Sequence, residues 1–187
     1  MSIRKLTLMV AALALILAAA AVAADAQFEG VDGCKMCHKK DKSGDQYGKW
    51  LEGPHAGAYE ALASDAAKAI ATEKGLGNPQ EAAECLKCHV TAAGVDPARL
   101  GSKYKVEDGV GCESCHGPGS EYKSMKVMKA ITAGETDAAS VGLVKPTAET
   151  CTGCHNEESP TFKGFDFAEY SKKIDHSIPE EHLATYK

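Results

Sequence analysis

All eight cysteines of this 187-residue chain fall into four copies of one pentapeptide pattern, and none is left over. The copies are Cys34-Lys35-Met36-Cys37-His38, Cys85-Leu86-Lys87-Cys88-His89, Cys112-Glu113-Ser114-Cys115-His116 and Cys151-Thr152-Gly153-Cys154-His155. A disulfide framework has no use for a histidine after every second cysteine, and zinc sites would leave four such histidines unexplained. Two thiols about one helical turn apart can add to the two vinyl groups on one edge of a haem, and the next residue then carries an imidazole to the iron. The pattern therefore predicts four covalently attached haem c groups, tethered by Cys34, Cys37, Cys85, Cys88, Cys112, Cys115, Cys151 and Cys154. His38, His89, His116 and His155 are the expected proximal iron ligands.

Four haems in so short a chain constrain the fold. Successive motifs begin 51, 27 and 39 residues apart, so this is not a tandem array of fixed period. About forty residues per haem cannot give each haem its own domain, so the macrocycles must pack together in one unit. Aromatic residues make up only 6% of the chain while glycines number 18, which suits an interior filled by something other than side chains. The expectation is a mainly α, loop-rich multihaem fold with haems forming much of the core and little β. Pro54 opens a predicted helix through Leu62, Ser64 caps another from Asp65 to Lys74, and Ser120 begins a third that runs to about Ile131. Asn78-Pro79 and Pro146-Thr147 lead into the second and fourth motifs, and Asp166 caps Phe167 to Asp175. Tyr104-Lys105-Val106 is the one alternating segment and reads as a short strand or hairpin arm.

The N-terminus carries a targeting pattern. Arg4 and Lys5 precede an apolar run from Leu6 to Leu17, and Ala21-Val22-Ala23 or Val22-Ala23-Ala24 supplies small residues for cleavage. Residues 1–23 therefore read as a cleaved secretory signal peptide, residues 24–187 as a single tetrahaem domain, and the expected location is the periplasm. Loss of Arg4 and Lys5 would move the formal net charge from −5 to −7, which disfavours nucleic acid as a partner. No second apolar stretch approaches transmembrane length, so the domain is not expected to be membrane-embedded.

The remaining ligands can be counted. Of seven histidines, four lie in the motifs, leaving His55, His176 and His182. Three histidines cannot close four irons, so either a methionine completes one site or one iron keeps an open face.

Beyond the motifs, the chain resembles the tetrahaem cytochrome c-554 family. The likeness rests on Phe28-Glu29-Gly30, on Trp50 with His55-Ala56, on Cys88-His89-Val90, and on the run from Gly109 through Cys112-Glu113-Ser114-Cys115-His116 to Gly119. It implies His55 as distal ligand of the fourth haem, His176 as distal ligand of the third, and a five-coordinate second haem. The family places a histidine about ten residues after the third motif for the first haem, and here that stretch reads Tyr122-Lys123-Ser124-Met125-Lys126-Val127-Met128. Met125 and Met128 sit i, i+3 on one helical face. Met128 is the preferred distal ligand of the first haem, with Met125 and His182 as alternatives.

These features predict an electron-transfer protein working between redox protein partners, rather than an enzyme. The alternatives are nitrogen-oxide reduction, nitric oxide for example, at an open second haem, or a haem subunit of a larger redox complex. Lys35, Lys39, Lys40, Lys42 and Lys49 cluster around the first motif of an otherwise acidic chain and form a rim suited to an acidic partner.

Overall fold

Isolated helices shorter than about a dozen residues are marginal in water, and here glycine, proline and the motifs cut every helical run below that length. The computed structural model describes residues 25–182. The expected leader, residues 1–23, lies outside them. Among the described residues there are nine short α-helices: α1 (Val31–His38), α2 (Gln46–Glu52), α3 (Ala58–Ala61), α4 (Asp65–Glu73), α5 (Ala83–His89), α6 (Cys112–His116), α7 (Met125–Thr132), α8 (Ala148–Thr152) and α9 (Phe167–Lys173). Four 3₁₀ turns, Asp41–Ser43, Pro97–Arg99, Val106–Asp108 and Ala138–Val141, punctuate the loops. None of these helices is long and apolar enough to cross a membrane.

Side-chain caps start several helices as expected. Ser64 Oγ accepts from Ala67 N at the head of α4, and Asp166 Oδ1 accepts from Glu169 N at the head of α9. Three local expectations are corrected. The helix expected from Pro54 begins only at Ala58, because the His55 carbonyl is taken by the amides of Ala58 and, from far along the chain, Val110. Ser120 does not open a helix either: its amide and hydroxyl are tied to Gln27, and Ser124 caps α7 instead. Tyr104-Lys105-Val106 forms no strand; Val106 opens a 3₁₀ turn, and the Tyr104 hydroxyl donates to the Thr91 carbonyl at 2.5 Å. Among the described residues the β-type pairing is a single parallel bridge, Phe28 to Leu100.

Helix α1 packs on α2 and α6, while α3 packs on α5 and on the 3₁₀ turn Val106–Asp108. The buried apolar side chains among the described residues are Ala26, Val31, Leu62, Ala71, Val90 and Tyr122, and no large one is fully buried. Six such residues do not make a close-packed protein core, which agrees with an interior shared with large apolar groups. The C-terminal segment returns to the first motif: a Cβ at Gly44, whose φ is +97°, would lie 2.6 Å from the Ser177 carbonyl oxygen.

Candidate haem-binding sites

The four motifs start from helices. The first three are helical through their histidine, in α1, α5 and α6, whereas the fourth leaves α8 at Gly153 and presents Cys154 and His155 from a turn. No disulfide joins any of the eight cysteines. Their neighbours reveal an order. The Cys34 and Cys112 thiols hydrogen-bond one another, which raises the former and lowers the latter. The Cys115 thiol, raised chiefly by burial, also feels Cys151. Burial pushes Cys154 up to about 11, with Cys88 close enough to add to the effect. Motif one thus adjoins three, three adjoins four, and four adjoins two.

The histidines divide into two sets. His116 and His176 rings lie 6.0 Å apart, as do the rings of His55 and His155. An imidazole nitrogen binds a transition-metal ion at about 2 Å and lies about 1 Å from its own ring centroid, so two imidazoles across one ion have centroids about 6 Å apart. Each pair therefore fits a single iron between its rings, one motif histidine on one side and one free histidine on the other. Among the described residues no imidazole stands opposite His38 or His89 in this way. Met128 is half-buried on α7, Met125 is 65% exposed, and His182 is half-buried with its amide on the Pro179 carbonyl. Among the described residues, no hydrogen bond or ring contact joins any of the three to His38.

Second partners set the tautomers. His89 Nδ1 faces the Ala58 carbonyl at 2.6 Å, His116 Nδ1 the Val144 carbonyl at 3.0 Å, and His176 Nδ1 the Ile174 carbonyl at 2.7 Å. A carbonyl only accepts, so Nδ1 is the protonated nitrogen and Nε2 keeps its lone pair for iron. His38 Nδ1 reaches Gln46 Oε1 at 3.3 Å, and the Gln46 amide nitrogen is itself bonded to the Ser43 carbonyl, which fixes which end of Gln46 faces the ring. Burial holds His55 and His116 below the usual histidine range, and each is lowered further by its facing imidazole, so both stay neutral as a ligand requires.

Two side chains that hold this scaffold together escaped the sequence reading. Glu113, inside the third motif and 4% exposed, accepts from the amides of Glu29 at 2.8 Å, Gly30 at 2.8 Å and Gly119 at 2.6 Å. Burial raises its carboxyl, although those amides pull the other way. The signal was the glycine beyond it: a Cβ at Gly119 would sit 2.9 Å from Glu113 Oε1. Thr91 is the second. Its hydroxyl accepts from the Gly111 amide at 2.8 Å and lies 2.8 Å from Ser114 Oγ, locking the loop after motif two onto motif three.

A family model described as cytochrome c554 and c-prime matches residues 33–117. Cytochrome c-554 of Nitrosomonas europaea is 32% identical over 169 residues, 84% of this chain and 70% of that protein. The chain belongs to the cytochrome c-554 family. As a multihaem c-type cytochrome of that family it carries covalently bound haem c and transfers electrons. The multiheme cytochrome MtrC of Shewanella baltica is also 32% identical, over 138 residues that make up 71% of this chain but 18% of the larger protein. No solved structure matches the chain.

Proposed function

We propose that this protein is an exported, periplasmic carrier with four haem c groups, passing electrons between protein partners. The observation that carries the reading is the pairing of His116 with His176 and of His55 with His155, each at 6.0 Å. On this reading all eight cysteines are tethers and His38, His89, His116 and His155 are the proximal ligands. His176 and His55 close the third and fourth sites, and Met128 closes the first, with Met125 or His182 as its replacement. Haem supplies one-electron iron chemistry that needs little rearrangement when both faces are ligated. The chain's part is to fix the imidazole planes, keep the imidazoles neutral and bring the sites close enough for electrons to pass along the order one, three, four, two.

Nitrogen-oxide chemistry at the second site is the competing reading, favoured by the lack of an imidazole opposite His89 among the described residues. Intact mass of the purified holoprotein tests the count: four haems and a chain starting near residue 24 are expected, and a smaller haem increment or an intact Met1 would overturn the count or the cleavage. Resting-state electron paramagnetic resonance tests the ligation. Three low-spin irons and one high-spin iron are expected, and four low-spin irons would remove the open site and the nitrogen-oxide reading with it.

A further inference from the structure

The order of the motifs leaves two ends, the first motif and the second, where an electron can join or leave the chain of sites. The two ends differ in charge. At the second, α5 carries Glu84 and Lys87, and Lys87 is already engaged by Glu158. At the first, residues 35–49 hold five lysines against Asp41 and Asp45, a local net of +3 in a chain whose formal net charge is −5. Lys35 lies 4.8 Å over the Tyr47 ring and Lys49 donates to the Asp175 carbonyl. Lys39, Lys40 and Lys42 are exposed, with no ion pair or hydrogen bond from their ammonium groups among the described residues.

The same surface carries the most exposed of the large apolar side chains described, Met36 at 75%, between the two cysteines of the motif. Lys39, Lys40 and Lys42 follow Met36 directly where the chain leaves α1, Lys39 as its cap and Lys40 in an extended conformation, so an exposed apolar side chain and three cations share one short stretch, the ingredients of an interface core and its rim. The platform is rigid. Ser43 Oγ donates to the Lys40 carbonyl at 2.7 Å, and the Gly44 and Asp45 amides close onto Asp41 and Lys40. Lysines held on a pre-ordered turn lose little backbone freedom when a partner binds.

We propose that this stretch, exposed Met36 followed by Lys39, Lys40 and Lys42, docks an acidic redox protein that exchanges electrons with the first haem. The proposal rests on the carrier reading and adds the port and the charge of the partner. Positive charge at the port raises the encounter rate with an acidic protein despite the negative charge of the whole chain.

The test uses the oxidised holoprotein, a reduced acidic [2Fe–2S] ferredoxin as probe, and stopped-flow absorbance. Combining Lys39→Glu, Lys40→Glu and Lys42→Glu is expected to lower the second-order rate constant at least about tenfold at low ionic strength, with the difference shrinking to within about twofold in about 0.5 M salt. The control, Lys74→Glu, Lys163→Glu and Lys172→Glu together, makes the same change in net charge elsewhere on the surface and should leave the rate within about threefold of the parent. Equal losses in both variants, or no loss in the first, would overturn the port. Dithionite reduction separates this from the parent reading: haems that dithionite reduces fully in both variants leave the carrier role intact, and haems it cannot reduce would sink that role and the port together.

Discussion

The paired imidazoles of His116 with His176 and of His55 with His155 have the same ring separation, 6.0 Å, but are held by different physics. In the first pair both rings donate Nδ1–H to backbone carbonyls, of Val144 and Ile174. In the second, neither ring nitrogen has a protein acceptor among the described residues. His155 instead stacks on Phe165 at 4.8 Å and 16°, and Phe165 leans on Tyr170 at 5.2 Å. A hydrogen bond from Nδ1 makes an imidazole a more basic ligand and favours ferric iron, whereas a stacked phenyl ring fixes the plane without adding electron density. On the proposed ligation, two sites with identical ligands would thus be unequal, with an electron favoured on the fourth site over the third.

The largest effect that would break this comparison is loss of a whole site. His176→Ala and His55→Ala should each abolish one low-spin signal in electron paramagnetic resonance, and a different one in each case; loss of the same signal would mean that the pairs are not separate sites. Next comes the order of the potentials. In a redox titration of the parent protein, the signal missing from His55→Ala should reduce at higher potential than the one missing from His176→Ala, and the reverse order would refute the hydrogen-bond argument.

The third motif is further distinguished by the Glu113 carboxylate clamp, which the fourth lacks. Glu113→Gln keeps the shape but loses the charge and one acceptor oxygen, and should cost about 1–3 kcal/mol in urea denaturation while sparing the signal of the fourth site. Phe165→Ala removes a half-buried stacked ring, so the expected cost is about 1 kcal/mol, with altered g-values for the fourth site alone. Phe167→Ala, at an exposed neighbouring position, should leave the spectrum unchanged.

The smallest effect concerns the surface pair that ties α5 to the loop after motif four. Lys87 holds the Glu158 carboxyl below its usual range, so the pair's contribution is present above that range and fades as pH falls through the lowered value. Lys87→Ala should lower the thermal midpoint slightly at neutral pH, with no difference at acid pH or in about 0.5 M salt.

Most of the cofactor chemistry was legible because it is local. The tethers and proximal histidines lie within five residues of one another, and a tether chemistry that needs one helical turn can be read from one helical turn of sequence. Helix caps at Ser64 and Asp166 were legible for the same reason. The misjudged elements depend on distant partners: His55 and Val110 meet across 55 positions to delay α3, and Ser120 is held by Gln27 across 93. Local propensity for helix at Pro54 or Ser120 is worth too little to compete with these long-range hydrogen bonds and the packing around them. Glu113 was passed over as a variable position of its motif, because nothing local marks it as buried; its three amide donors come from Glu29, Gly30 and Gly119.

The sequence by itself therefore determined the cofactor class, the number of attachment motifs and the shortage of imidazoles for four irons, since thiol spacing and a residue count need no third dimension. Which histidine faces which was implied by the family resemblance, but no local pattern carries it: His116 and His176 are 60 positions apart and His55 and His155 100, and only the tertiary structure brings each pair together. The order of the motifs, the carbonyls that tune one pair and the aromatic ring that holds the other belong there too. They arise from packing between segments far apart in the chain, where no local pattern carries the information.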